Sequence, residues 1–308
     1  MPALPDLRWK TLWQMTRPGF LTASAIGVAI GLGTARASGV ALSPGLAAIT
    51  LVLALVAHAA ANVLNDFADA LSGADDGNDT GIAPFTGGSR LIQTGATTVA
   101  QTWRVASVLL LVSATGGATL AASLHANGLW WIGAAGLVLV WAYSMPPLRL
   151  MGRGLGELSV AMAWWLVVIG ADYVQRGSFS ILPAIAGAGY ALLIANLLLV
   201  NGLPDAASDA RVDKRTLAVI LGPRRAALLY AALALIAHGW VAIAIVRGVL
   251  PMVAAVALPT LALSLMGAAL IARFAPAPQK LRPAIVVTLV AAQMHGLLLA
   301  MALWSAGR

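Results

Sequence analysis

Long runs without a single charged residue, separated by short polar clusters, set the pattern of this chain. Arg17 to Arg36, Arg36 to Asp66, Arg176 to Asp205, Arg225 to Arg247, Arg247 to Arg273 and Arg282 to Arg308 each bracket such a run. Between Arg104 and Arg149 the run is long enough for two segments, with Asn127-Gly128 as the turn. Glu157 to Asp172 brackets a shorter one that extends at both ends. A helix needs roughly 20 apolar residues to cross a bilayer core. The pattern therefore predicts nine spans, at about 19–35, 44–65, 102–123, 128–145, 156–174, 181–203, 223–246, 250–272 and 283–305. Strand-like alternation is absent, and backbone groups in lipid must bond within their own segment, so the spans are helices.

Composition agrees. Of 308 residues, 60% are hydrophobic and 10% charged, and the mean hydropathy is +0.88. A soluble domain carries about a quarter charged residues; this chain cannot cover a water-facing surface, and lipid must cover most of it. Cysteine is absent, which excludes disulfides, zinc–thiolate sites and cysteine nucleophiles.

The net charge of +8 reports topology and affinity for anionic lipid headgroups, with no nucleic-acid partner implied. With the N-terminus inside, all of the 19 Lys and Arg except Arg36, Arg176, Arg247 and Arg308 fall on cytoplasmic segments, as the positive-inside rule requires. The first polar stretch lacks the apolar core and cleavage site of a signal peptide. Trp9, Leu12 and Trp13 instead recur at helical spacing opposite Arg8, Lys10 and Gln14, predicting an interfacial helix within residues 1–18.

Eight of the eleven acidic residues occupy two short segments. One runs Asn65-Asp66-Phe67-Ala68-Asp69 and on to Asp75, Asp76 and Asp79; the other runs Asn201-Gly202-Leu203-Pro204-Asp205 and on to Asp209 and Asp213. Both contain Asn-x-x-x-Asp and both end an even-numbered span, so they emerge on one membrane face. A duplicated four-helix unit with a ninth helix added accounts for this. Residues four apart share a helix face, which groups Asn65 with Asp69 and aligns Asp205, Asp209 and Asp213. One such cluster would read as an ordinary solvated loop. Two facing stripes of oxygen ligands repel each other unless a hard cation intervenes, and carboxylate, amide and water oxygens suit Mg²⁺ shared with phosphate.

Cations stand beside these acids. Asp213-Lys214-Arg215-Thr216 follows the second segment, and Thr86-Gly87-Gly88-Ser89-Arg90 follows the first, its glycines letting backbone amides approach an anion. Between spans four and five, Tyr143-Ser144-Met145-Pro146-Pro147 and Arg153-Gly154-Leu155-Gly156-Glu157 bring a phenol, a hydroxyl and an arginine to the same face. Asn62, one turn before Asp66, and Asn201 are candidates to touch a second substrate. His58, His238 and His295 fall inside spans, where neutral histidine serves as an interhelical hydrogen-bond partner. Intramembrane carboxylates also suit an ion-coupled transporter, whose sites lie near the midplane; clustering at one face beside Lys and Arg suits anion binding better.

The motifs resemble the UbiA family of intramembrane aromatic prenyltransferases. The likeness covers nearly the whole chain: Arg17-Pro18, both acid segments, the Tyr-Ser-x-Pro-Pro turn and the Arg-Gly-Leu-Gly-Glu stretch. It implies one domain over residues 1–308, with active-site loops at 65–101 and 204–222. The implied fold is an all-α bundle of two four-helix repeats plus one helix. It also implies Mg²⁺-dependent transfer of a polyprenyl group from its diphosphate to an aromatic acceptor. Asn65-Asp66-x-x-Asp69-x-x-x-Gly73-x-Asp75 and Asn201-x-x-x-Asp205-x-x-x-Asp209, then Lys214-Arg215-Thr216-Leu217, favour the branch that prenylates 1,4-dihydroxy-2-naphthoate in menaquinone synthesis. Acceptors such as 4-hydroxybenzoate or another phenol stay open. By the same resemblance Asn65, Asp69, Asp75, Asp205, Asp209 and Asp213 ligate metal, and Asn65, Asp66, Asp69, Asp205 and Asp209 are catalytic. Lys214, Arg215, Tyr143, Ser144, Arg153, Arg90, Arg17, Asn62 and Asn201 contact substrates. The expected place is a bacterial inner membrane, with the N-terminus and both loops cytoplasmic.

Overall fold

Each charge-free run folds as a helix. The computed structural model describes residues 8–78 and 80–307; Asp79, Arg308 and residues 1–7 of the expected interfacial segment lie outside the described residues. A short α1 (Trp9–Met15) leads into α2 (Pro18–Ala37), α3 (Pro44–Ser72), α4 (Val99–Ser123) and α5 (Asn127–Ser144). The second half holds α6 (Gly156–Arg176), α7 (Ile181–Arg211), α8 (Leu217–Val246), α9 (Leu261–Phe274) and α10 (Arg282–Ala306). A 3-10 segment, Met252–Thr260, runs directly into α9. No strand occurs among the described residues.

Among the described residues, eight helices are long and apolar enough to span a membrane, counting Met252–Phe274 as one. The ninth predicted span is α5, 18 residues long, in which Asn127, three tryptophans and Tyr143 dilute the aliphatic content. It packs against α3, α4 and α6 as a member of the bundle. The chain is an integral membrane protein.

Local chemistry sets the helix ends. Ser43 accepts from the Leu46 amide, Thr98 and Gln101 form a reciprocal capping box, and Thr216 accepts from the Val219 amide, each satisfying an amide that the first turn leaves free. Gly73, at φ +75°, ends α3 in the left-handed conformation that favours glycine. The non-helical Gly222 before Pro223 divides α8 into a short lead-in and the predicted span.

Helix α7 is the most enclosed of the spans and packs against α6, α8, α2 and α10. Small residues allow the approach: a Cβ at Gly189 would lie 2.9 Å from the Ala237 carbonyl oxygen, and one at Gly31 would strike the Val168 carbonyl and Ala171. Buried polar groups are largely paired. At the C-terminal ends of α2 and α6, Asp172 takes two hydrogen bonds from Arg176, at 2.6 and 2.8 Å, and one from Thr34. His238 and His295 both hydrogen-bond the Thr260 hydroxyl, joining α8, α10 and the end of the 3-10 segment.

One expectation is corrected. The acid motifs, placed above in loops starting at residues 65 and 204, stand on the closing turns of α3 and α7. These helices have 29 and 31 residues; at 1.5 Å per residue each exceeds about 43 Å, well beyond a hydrocarbon core of about 30 Å. The surplus turns hold the carboxylates.

Candidate active site

The last turns of α3 set Asn65 and Asp69 on one face, and the Asn65 amide donates to Asp69 Oδ2 at 3.1 Å. Asp66 points elsewhere. It pairs with Arg17, which enters α2 at φ +51°, and accepts from the Ser89 amide at 3.3 Å. Beyond Gly73 the chain brings the buried Asp75 beside this face. A Cβ at Gly88 would lie 2.6 Å from Asp75 Oδ2 and 3.1 Å from Asp66 Oδ1, and its φ is +70°; both facts favour glycine.

Helix α7 completes the site. Asp205 accepts from the Asn78 amide and from the Gly87 N–H, each at 2.8 Å, while Thr80 donates to the Pro204 carbonyl at 2.6 Å. The 73–98 segment is thus strapped onto α7. One turn on, Asp209 faces Lys214, whose Nζ lies 3.3 Å from Asp209 Oδ1 and 2.8 Å from Asp69 Oδ1. A single ammonium bridges the two acid motifs.

These groups surround a cavity of ≈ 220 Å³ lined by Arg17, Asn65, Asp69, Asp75, Gly87, Gly88, Asp205, Asp209 and Lys214 at one end. Tyr143, Glu157, Asn201, Val160, Ile194 and Trp164 line the rest. His58, Ala61, Val140, Ala163 and Trp164 also line a second, apolar cavity of ≈ 390 Å³ between α3, α4, α5 and α6. A charged cavity and an apolar one thus adjoin across these shared walls.

Electrostatics follow from this crowding. Burial, with the Asp69 and Asp66 charges, pushes Asp75 up to about 7 against the pull of Lys214 and Arg17. Burial disfavours the Lys214 charge, but Asp69 and Asp209 outweigh it and raise its pKa above the usual lysine range. Burial likewise opposes the Arg17 charge, and Asp66 prevails. Among the described residues no three carboxylates or histidines converge as a ready-made metal cage. The donor set nevertheless fits a hard cation that keeps waters and shares its shell with phosphate. Asp69 and Asp209 present oxygens toward a point where Lys214 already places a positive charge, while the Asn65 oxygen accepts from Arg17 at 3.4 Å.

The cavity gathers Arg17, Asn62, Asn65, Asp69, Asp75, Tyr143, Asn201, Asp205, Asp209 and Lys214. Others expected there lie off its wall. Asp66 serves the Arg17 pair, and Ser144 is buried behind Asn65 at 3.5 Å. Arg90 donates to the Asn78 carbonyl and Arg153 to the Pro147 carbonyl, both at 2.9 Å. Arg215 and Asp213 are exposed. The strap residue Asn78 and the wall residue Glu157 escaped the sequence reading as site members. Trp164 and His58, 4.9 Å apart edge to face, line both cavities.

Known proteins resemble this chain in sequence and in fold. The family model described as the UbiA prenyltransferase family matches residues 25–284. The 1,4-dihydroxy-2-naphthoate octaprenyltransferase of Bacillus subtilis is 27% identical over 244 residues, 77% of this chain and 74% of that protein. The enzyme of the same name from Mycobacterium tuberculosis is 30% identical over 230 residues, 74% and 73%. Among solved structures, a UbiA homolog from Archaeoglobus fulgidus bound to DMAPP and Mg²⁺ superposes with a TM-score of 0.65 at 16% identity, covering 94% of this chain and 98% of that one. The apo UbiA homolog from Aeropyrum pernix K1 gives 0.67 at 16% identity, covering 91% and 97%. At these identities the structures establish the fold.

Proposed function

The chain belongs to the UbiA prenyltransferase family, and we propose that it transfers a polyprenyl group from its diphosphate to 1,4-dihydroxy-2-naphthoate, with Mg²⁺ as cofactor. The observation that carries this reading is the ammonium of Lys214 bridging Asp69 and Asp209 at the mouth of a charged cavity that adjoins an apolar one. A diphosphate needs cations at such a mouth, and an isoprenoid tail needs the greasy interior. The names of the bacterial relatives support the choice of acceptor.

In this reading Asn65, Asp69 and Asp209 hold Mg²⁺, with Asp75 and Asp205 beside them. Bound there, the metal supplies positive charge to the diphosphate oxygens. Lys214 and Arg17 receive the outer oxygens, so charge developing on the leaving group is stabilised as the allylic C–O bond lengthens. Asp66 orients Arg17. Arg90 braces the strap, while Arg153, Arg215 and Asp213 stand at the rim, where they meet the donor on approach. Buried Ile194, with the half-buried Val160 and Trp164 packed nearby, excludes water from the allylic cation.

We place the charged mouth on the cytoplasmic side of a bacterial inner membrane, because the basic residues cluster there. The exposed Trp9 and Trp13 of α1, opposite the buried Met15, rest in the headgroup layer. The whole chain acts as one catalytic domain.

The direct test uses purified protein with Mg²⁺, a polyprenyl diphosphate and a panel of aromatic acids and phenols. Prenylated naphthoate with released diphosphate is expected. Product with 4-hydroxybenzoate alone would move the acceptor assignment, and absence of any product in a preparation that binds the donor would overturn the reading.

A further inference from the structure

Glu157 has no role in the donor site described above. It stands in the first turn of α6, 7% exposed, on the cavity wall. The other buried carboxylates all have a cation acting on them. Asp66 has Arg17, Asp172 has Arg176, Asp69 and Asp209 share Lys214, and Asp75 feels both Lys214 and Arg17. Glu157 has none among the described residues; the polar groups acting with it are its own backbone amide and the Tyr143 phenol on the same cavity wall. Burying an uncompensated carboxylate is costly, and inside a membrane bundle such a group is a functional candidate with its partner to be named.

The surroundings indicate what the partner is. Val160 and Trp164 follow Glu157 at helical spacing and line the same cavity, giving a flat apolar strip along α6 with a carboxylate at its head. Asn201 also lines the hollow, with Oδ1 buried and unpartnered. Two groups that accept hydrogen bonds, beside an apolar strip, match a flat aromatic ring bearing hydroxyl donors. The head of that strip is also the end of the bundle where Asn65 and Asp69 stand, because α6 starts just after the turn that follows Ser144.

Resting on the prenyl-transfer reading, we infer that Glu157 is a catalytic residue that binds the hydroxyl of the aromatic acceptor and takes its proton as the ring attacks. The O–H bond breaks toward a Glu157 carboxylate oxygen, and the freed electron pair enriches the ring. A ring carbon forms the new C–C bond to the allylic carbon, whose C–O bond has broken with its pair on the diphosphate. The resulting ketone regains aromaticity when that carbon sheds CO₂ from its carboxylate, or H⁺ to the departing diphosphate, and the oxygen takes the proton back from Glu157. Asn201 holds the second hydroxyl or the ring edge.

The test compares Glu157→Gln and Glu157→Asp with the full-length wild type. Binding of a non-hydrolysable thiodiphosphate donor with Mg²⁺ is measured first and should stay within about twofold. Acceptor binding, read from tryptophan fluorescence, should weaken in the Gln variant. Its kcat should fall about 10²- to 10⁴-fold, the range set by proton transfer, and the acid limb of the kcat/KM profile should become shallower, the Asp75 ionisation remaining. The Asp variant should recover part of the rate. Wild-type turnover in Glu157→Gln, or loss of donor binding together with acceptor binding, would overturn the proposal, the second outcome marking Glu157 as a structural wall residue. Failure of the parent reading looks different: the wild type would bind donor and prenylate no hydroxylated ring.

Discussion

Lys214 Nζ lies 2.8 Å from Asp69 Oδ1, reaching from the α7–α8 turn to the last turns of α3. With Asp209 at 3.3 Å on the other side, it neutralises two carboxylates that would otherwise face each other across the mouth. A lysine is a compact charge on a flexible stem, so it can hold the acids together and also turn to a phosphate oxygen.

Lys214→Gln should therefore abolish turnover and also loosen the protein. Breaking a largely buried pair by removing one partner costs about 3 kcal/mol or more, visible as a lower melting temperature in detergent. Added Mg²⁺ should restore more of that loss in the variant than it adds to the wild type. Equal Mg²⁺ shifts in both would mean that metal and ammonium do not share the Asp69–Asp209 position.

Asn78 reaches Asp205 at 2.8 Å and fastens the strap over the site. A hydrogen bond to a charged group is worth about 1.5–3 kcal/mol. Asn78→Ala should raise the KM for donor by about tenfold or more and open residues 73–98 to limited proteolysis, with kcat less affected. An unchanged cleavage pattern would show that the Gly87 amide holds the strap alone.

Gly88 and Gly95 form a matched pair, with φ of +70° and +71°. At Gly95 nothing lies within 4 Å of an added Cβ, whereas at Gly88 the Cβ meets two carboxylates. Gly95→Ala should cost only the backbone term of about 1–2 kcal/mol and leave turnover intact. Gly88→Ala should remove activity and reduce donor affinity. Donor titration of both variants decides.

Gly133 and Gly136 line the apolar cavity, and a side chain at either meets open space. Gly136→Leu should fill part of that space. Each lost isoprenoid contact is worth about 1–3 kcal/mol per methylene-sized change, so kcat/KM should fall for long donors and hold for short ones. A uniform loss across donor lengths would place the tail elsewhere.

The helices were legible because charge is so scarce that each ion marks a boundary. The acid motifs were legible because a spacing of four is meaningful on a helix. Their setting was misjudged, since polar residues at 65–72 and 204–211 read as loop when they are surplus helix beyond the bilayer. The basic residues show a sharper limit. Lys214, Arg215, Arg90 and Arg153 all satisfy the positive-inside rule equally well, and only the fold separates the one that bridges acids from those that brace carbonyls or face water. In the turns no period reveals side-chain direction, so Asn78 stayed invisible. Glu157 was seen as part of a motif, but its lack of a counter-charge is a fact of three-dimensional packing.

The polarity difference between the two adjoining cavities has a consequence for reversal. Prenyl transfer yields one product that dissolves in water and one that dissolves in lipid, and they part toward opposite cavities. After release they reside in different phases, so a backward encounter would require the lipid to return and a dilute solute to meet it there. Sorting by solubility thus makes the step effectively one-way without any added gate.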